Sequence, residues 1–530
     1  MMIGMSATRR WLGLVVIGIA VSLIIVDTTV VNVAIPAIVA DLGVSSTEVQ
    51  WIQESYTLVF AALLIAFGTL GDRIGRRALL MIGVGVFTAA SIAAGLAPDG
   101  VALIAARVAQ GVGGAMVLPA TMSLINAGFR GRDRTIAFAV WGSIIGGMAA
   151  VGPLLGGWLI TEFSWRWAFG VNVPFGLIVL ILAVFTIRES KSEQREGFDA
   201  IGAVLGVLAA GLLVFTLIEG RSFGWVFVNE SGALADGDWP WDISPTPVLF
   251  ALAVAALTGF LLWERRRERV GRSTLLPLHL FSLTSFRNGN LVAMIVSLGE
   301  LGLLFVLPMW MQNVLGYDAL QAGLALVSLA VGSFLATGMV SGLSRRMTPV
   351  GMLRLGVALE LIGVLVLGLL LSTDTGWQLI AGMLFVYGLG IGLASSQVTN
   401  VVLADVPVDR SGQASGTQST ARQIGSALGI AVLGTVLFGT LGLDLDSRLA
   451  DLPADQREQV VAVVTDSAGA SIPALQADAA TARVGDIAAE SFTTASSYAA
   501  FTAAGFLAIA LAASMSLRPA RESLTADVRM

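Results

Sequence analysis

Long apolar runs separated by short polar punctuation make up nearly all of this chain. Runs approaching the ~20 residues that cross hydrocarbon as a helix predict spanning helices over 11–37, 51–69, 78–97, 101–125, 135–160, 167–187, 198–218, 246–263, 289–312, 321–343, 350–371, 378–403, 422–442 and 496–517. Two stretches break the rhythm. Residues 219–245 include Asp236-Gly-Asp-Trp-Pro-Trp-Asp242, an acidic turn whose Trp239 and Trp241 suit the headgroup level. Residues 443–495 are the longest hydrophilic stretch, with nine acids against three arginines. Within it Pro453–Thr465 reads as a short amphipathic helix, with proline at its start and a valine cluster at Val460, Val461, Val463 and Val464. It would lie on the outer membrane surface, cap the mouth of a bundle, or serve as a solvated connector.

Basic residues orient these helices. Gly68-Thr-Leu-Gly-Asp-Arg-Ile-Gly-Arg-Arg77 joins the second and third runs, and a turn with one carboxylate and three arginines cannot lie inside a bilayer. Its arginines put it on the cytoplasmic side. Alternation from that loop places 25 of the 31 Lys and Arg residues inside and five outside, with Arg107 inside a helix. The reading is an all-α integral membrane protein with fourteen spans and both termini in the cytoplasm. The first run is too long for a cleaved signal peptide and reads as a retained helix.

Composition agrees: 56% of residues are hydrophobic and 13% charged, about half the ~25% charged content of soluble domains. The absence of cysteine excludes disulfides, thiolate nucleophiles and cysteine-ligated metals. His279, the single histidine, sits beside an Arg-rich segment, not in an apolar run. No nucleophile–base pair, metal cluster or Gly-Lys-Ser/Thr phosphate loop is present, so neither an enzyme nor an ATP-driven pump finds support. No cofactor, metal or nucleic-acid partner is expected.

Ionisable groups inside the runs carry the candidate chemistry. Each costs ~2.5–3.5 kcal/mol at mid-helix, against ~0.3–0.6 gained per Leu or Ile, so such groups persist where they are paired or line a wet cavity. They are Asp27, Glu54, Arg107, Glu300 and Glu360. Desolvation disfavours the charged form of a carboxylate, which suits a site where a proton and a cationic substrate compete; the other reading is an ion pair that only orients helices. Arg107-Val-Ala-Gln-Gly-Val-Gly-Gly-Ala-Met116 combines a guanidinium and Gln110 with glycines, Gly111 among them, that admit a neighbouring helix. The fifth run carries Gly142/Gly146 and Gly152/Gly156 as small-xxx-small pairs, with Pro153 and Gly157 beside them. A close-packed, kinkable helix of this kind suits a hinge between bundles.

Together these stretches resemble the major facilitator superfamily. Gly68 to Arg77 looks like its cytoplasmic signature, Arg107 to Gly114 like its helix-four signature, and Gly152-Pro-Leu-Leu-Gly-Gly157 like the helix-five motif of antiporters. Val26-Asp-Thr-Thr-Val-Val-Asn-Val-Ala-Ile-Pro36 is similar to the first helix of the fourteen-helix drug:proton antiporters, the EmrB/QacA drug-resistance group. Trp165-Arg-Trp-Ala-Phe-Gly-Val-Asn-Val-Pro-Phe-Gly176 and Gln413-Ala-Ser-Gly-Thr-Gln-Ser-Thr-Ala-Arg-Gln-Ile-Gly425 also look like that group. The likeness runs from about residue 12 to 517. One departure stands out: Ser341-Gly-Leu-Ser-Arg-Arg-Met347, the second-half equivalent of the cytoplasmic loop, lacks its aspartate.

The resemblance implies two six-helix bundles, residues 11–187 and 288–517, with two extra helices in the linker 188–287 and the outer loop 443–495 in the second bundle. The implied protein is a monomer of the bacterial cytoplasmic membrane that exports amphipathic, cationic drugs in exchange for protons. Asp27, Glu54 and Glu300 would couple protons; the same three with Glu360 would bind substrate. Gly68, Asp72, Arg73, Gly75, Arg76 and Arg77 would form a one-sided latch, with Asp72 pairing an arginine when the transporter faces outward. Arg107, Gln110 and Gly111 would form the helix-four site, and Gly142, Gly146, Gly152, Pro153, Gly156 and Gly157 the antiporter motif. A dedicated exporter of an endogenous antibiotic, lipid or metabolite is the alternative; a transport-inactive sensor on the same fold is a remoter one.

Overall fold

The apolar runs are helical, and most helices continue past them into polar sequence. A computed structural model describes residues 7–129, 131–190, 199–228, 241–272, 274–276, 278–344, 346–406 and 411–517. Its helices are α1 (Ala7–Leu42), α2 (Ser46–Ile74), α3 (Arg76–Gly95), α4 (Gly100–Gly128), α5 (Gly131–Glu162), α6 (Trp167–Gly170), α7 (Asn172–Thr186), α8 (Ala200–Phe223), α9 (Thr246–Arg269), α10 (Thr284–Asn313), α11 (Ala319–Leu343), α12 (Pro349–Leu370), α13 (Trp377–Leu403), α14 (Ser411–Arg448), α15 (Ala454–Asp466), α16 (Ile472–Ala477) and α17 (Ala482–Ser514). Among the described residues twelve helical segments, α6 and α7 counting as one, are long and apolar enough to cross a membrane. The remaining long helices, α2 and α5, pack among them with 29 and 32 residues. Among the described residues β structure is confined to one bridge, Phe227 with Ile243, in the connection between α8 and α9.

Polar side chains fix where the helices begin. Ser45 and Glu48 form a capping box on α2, and Asp318 and Gln321 another on α11. Both helices start at the outer face, so both boxes fill outward-pointing N–H groups.

Helix α1 packs on α5 and α7, while α2 and α3 pack on α4; further along, α10 packs on α14 and α17, and α13 lies between α11 and α12. Helix α8 packs on α9 and also touches α2 and α14. The two sets of helices meet through α5 with α11 and α2 with α14. The α5 seam is backbone against backbone: a Cβ on Gly157 would stand 2.5 Å from the Ala319 carbonyl oxygen, and the Pro153 carbonyl lies against Gly323. Elsewhere Gln50 lies against Gly434, the Gln312 amide donates to the Val33 carbonyl at 3.2 Å, and Thr435 donates to Leu217 at 3.1 Å. These contacts all lie toward the outer ends, so the outer side is closed.

Three expectations change in detail. The helix predicted over 422–442 starts at Ser411 and ends at Arg448, and the last starts at Ala482, not 496. Arg422 is therefore about three turns inside α14 and does not belong to the cytoplasmic loops. The outer stretch shortens accordingly, and its predicted amphipathic helix is α15, with Pro453 at its N-cap. Val464, Ala468 and Ile472 are buried, and Asn313 of α10 donates to the Ala468 carbonyl at 3.1 Å. The segment thus packs as a cap on the bundle.

The cytoplasmic turn shows its own logic. Gly75 has φ +119°, and beyond it Glu189 accepts from the backbone N–H groups of Arg77 at 3.1 Å and Ala78 at 3.0 Å. Arg76 N–H donates to the Ser190 carbonyl at 3.0 Å, and the Arg77 guanidinium to Ile187 at 3.3 Å. A carboxylate thus sits on the positive end of α3. Gly68 lies earlier, facing Pro119 of α4. The side chains of Asp72 and Arg73 lie outside the described residues, as do the surroundings of Gly142 and Gly146. Gly75→Ala should cost about 1–3 kcal/mol through its left-handed φ alone. Its methyl would also meet the Glu189 carboxylate. The check is a lower melting temperature in detergent; an unchanged one would show that the turn relaxes freely.

Candidate functional site

Asp27 of α1 lies at the centre of the first set of helices, with none of its side chain exposed. One carboxylate oxygen accepts from Arg107 of α4 at 2.5 Å; the other accepts from Gln110 at 3.0 Å and from Asn172 of α7 at 2.8 Å. Ser91 of α3 accepts from Gln110 and Asn172 in turn. Arg107 also donates to the Ile52 carbonyl of α2 at 3.1 Å and stacks over the Tyr56 ring at 4.3 Å. Five helices thus converge on one ion pair. Gly111 makes this possible, since a Cβ there would stand 2.7 Å from the Tyr56 carbonyl oxygen.

Helix α2 continues the polar line outward. Gln50, Gln53, Glu54 and Ser55 are all buried, and Gln53 donates to Asn32 of α1. Trp51 donates to Glu219 of α8 at 2.8 Å, tying the inserted pair to α2. Glu54 is as fully buried as Asp27 but has no side-chain partner, and the α14 backbone at Ala431 lies against it.

The second set has a looser centre. Glu300 of α10 accepts from Ser395 of α13 at 3.4 Å and faces Arg422 of α14 at 3.8 Å. Arg422 donates to Ser297 at 3.2 Å and to Ser395 at 3.4 Å. Glu360 of α12 is fully buried with neither oxygen hydrogen-bonded, and α13 packs tightly on it through Gly390. Arg422 borders a small cleft with Ala293, Val296, Ser297, Leu353, Ala394, Ser395 and Val398.

The five charged residues singled out in the apolar runs therefore fall into two clusters, with Glu54 apart from both. Gly152 and Gly156 seat α5 on Thr29 and Val30 of α1, and Gly157 seats it on α11. Sequence reasoning missed Arg422, Asn172, Ser91 and Tyr56. The signal for Arg422 was Ala414, Thr417 and Gln418, buried at helical spacing just before it. Asn172 lay within a quoted motif without a role.

Comparison with known proteins gives the arrangement its place. The Major Facilitator Superfamily matches residues 17–430. The chain is 34% identical to the "Probable actinorhodin transporter" of Streptomyces coelicolor, covering 86% of this chain and 77% of that one. It is 32% identical to the "Multidrug resistance protein Stp" of Mycobacterium tuberculosis, with 86% and 82% covered. It is 33% identical to the "Multidrug efflux pump LfrA" of Mycolicibacterium smegmatis, with 88% and 87% covered. Among solved structures, a bacterial homologue of the human lysosomal transporter Spinster, inward-facing and unoccupied, superposes with TM-score 0.65 at 16% identity, covering 98% of this chain and 100% of that one. Helix order, buried ion pair and these matches agree: the chain belongs to the Major Facilitator Superfamily, as a multi-span transporter of the bacterial cytoplasmic membrane and not an enzyme.

Proposed function

We propose that the protein exports amphipathic, cationic drugs in exchange for protons by alternating access. The observation that carries this reading is the charge balance inside the bundle: four buried carboxylates on its helices, Asp27, Glu54, Glu300 and Glu360, against two arginines, Arg107 and Arg422. Excess buried carboxylate needs protons or a cationic guest. Glu54, against the α14 backbone at Ala431, would take a proton when that seam closes and release it when the seam opens. Asp27 would join the cycle when Arg107 lets go. Glu300 and Glu360 would meet the substrate from the other side.

The remaining parts follow. The moving bodies are bundles of residues 11–187 and 288–517, the linker 188–287 adds two spans for a total of fourteen, and the protein works as a monomer in lipid. In this reading Asp72 would pair with an arginine across the cytoplasmic ends once the transporter faces outward, and let go when it opens inward. One proton exchanged for one monovalent cation moves no net charge and draws ~1.4 kcal/mol per pH unit. A second proton adds ~2.3 kcal/mol per 100 mV of membrane potential, and two titrating acids would permit it.

The test is dye export by proteoliposomes under an imposed pH gradient. Asp27→Asn and Glu54→Gln should each lower uphill export by about a hundredfold or more, the lower end of what a positioned proton-transfer group contributes, while downhill exchange persists. Unchanged uphill export in Asp27→Asn would end the coupling assignment for that residue. A second reading, export of one endogenous product, is favoured by the likeness to the actinorhodin transporter. It predicts that deletion traps one compound and leaves sensitivity to unrelated cationic dyes unchanged.

A further inference from the structure

We propose that Arg422 and Glu300 together form a subsite for zwitterionic amphiphiles, with Arg422 taking an acidic oxygen of the substrate and Glu300 its cationic nitrogen. This rests on the drug-export reading and narrows its substrate class. The two arginines within the spanning helices differ in one telling way. Arg107 is fully enclosed and closes on Asp27 at 2.5 Å. Arg422 keeps 35% of its side chain exposed, and its nearest acid, Glu300, stands at 3.8 Å. That separation is beyond hydrogen-bond distance. The hydrogen bonds Arg422 makes are to the neutral hydroxyls of Ser297 and Ser395.

A guanidinium held by hydroxyls at the edge of a cleft has its strongest interactions still to make. A carboxylate or phenolate could form the shorter, charge-assisted bonds that serine cannot, and arginine's planar fork favours such a partner. The neighbouring acid sets the rest of the ligand. Glu300 lies beside Arg422, so a purely anionic guest would set its charge against the Glu300 carboxylate. A zwitterion meets no such penalty: it opens one loose internal pair and replaces it with two closer ones. Val296, Leu353 and Val398 wall the small cleft beside Arg422; the cleft would have to widen as the bundles move to admit the body of such a molecule.

A matched pair of dyes tests this: tetramethylrhodamine, a zwitterion, and its methyl ester, a cation with the same rings. Binding to the purified full-length protein is read by fluorescence anisotropy, and export by proteoliposomes. For Arg422→Gln the affinity ratio of zwitterion to ester should fall about tenfold, the size of one charge-assisted hydrogen bond. Arg422→Lys, which keeps the charge, should restore part of that ratio and guards against misfolding. An unchanged ratio in Arg422→Gln overturns the proposal. So does a wild-type protein that binds and exports the ester but not the zwitterion, and that outcome leaves the drug-export reading standing. Failure of the wild type to bind or export either dye removes the export reading and this subsite with it.

Discussion

Arg107→Met should leave little folded protein in the membrane. The substitution keeps most of the side chain's length but strips the Asp27 carboxylate of its closest partner, at a position with no exposure at all. Removing one member of a buried pair costs about 3–5 kcal/mol because the other charge stays behind. The cation stacked over Tyr56 and the bond to Ile52 are lost with it, so contacts between α4 and α2 weaken as well. The double variant Asp27→Asn/Arg107→Met removes both charges, and Gln110 and Asn172 can still bond to the asparagine. It should recover most of the folded yield, measured by size-exclusion chromatography after a heat step, while uphill transport stays lost. A double variant as unstable as the single one would mean that packing around residue 107, not the ion pair, holds these helices.

Both residues were legible because they stand inside apolar runs, where a charge is conspicuous; that they pair with each other was not. The helices were legible for the same reason. What the pattern missed shares a physical cause. Residues 411–421 are rich in Ser, Thr, Gln and Gly and read as a loop, yet α14 runs through them. Ala414, Thr417 and Gln418 are buried within the protein, so this part of the helix never faces hydrocarbon and need not be hydrophobic. Mean hydropathy sees composition, not the face on which it lies, and so it left Arg422 at the cytoplasmic edge of a helix that in fact begins about three turns earlier. The same holds for α17, whose first turns pack against α16 and not lipid. Asn172, Ser91 and Tyr56 could not be read from sequence because their role arises only where α7, α3 and α2 converge. Asp27 stood well inside its run and Glu54 one turn into the next; only three-dimensional contacts separate the carboxylate bonded by three side chains from the one with no side-chain partner.

The glycines of α5 lead to the second large effect, on the balance between conformations. Gly157→Val should force the outer ends of α5 and α11 apart. Its Cβ would stand 2.5 Å from the Ala319 carbonyl oxygen and 2.7 Å from the Leu320 Cα, so backbone lies on the other side and no flexible side chain can yield. Overpacking of this kind costs about 1–3 kcal/mol. If the seam parts when the outer side opens, that cost falls on one conformation alone, and a difference of about 1.4 kcal/mol already moves a two-state population tenfold. The chain has no native cysteine, so a single one at Gln312, which bridges to Val33 across the outer closure, reports opening without background. Labelling of Gln312→Cys by an impermeant maleimide added from outside should speed up by about tenfold in the Gly157→Val background, and net export should fall because the return to the inward-facing state is penalised. Gly156→Val is the contrast, since its Cβ meets Val30 of α1 within the same set of helices. It should lower the yield of folded protein without changing the labelling rate of what survives. Equal labelling in the Gly157→Val and parent backgrounds would mean that the α5–α11 seam is not what separates the two states.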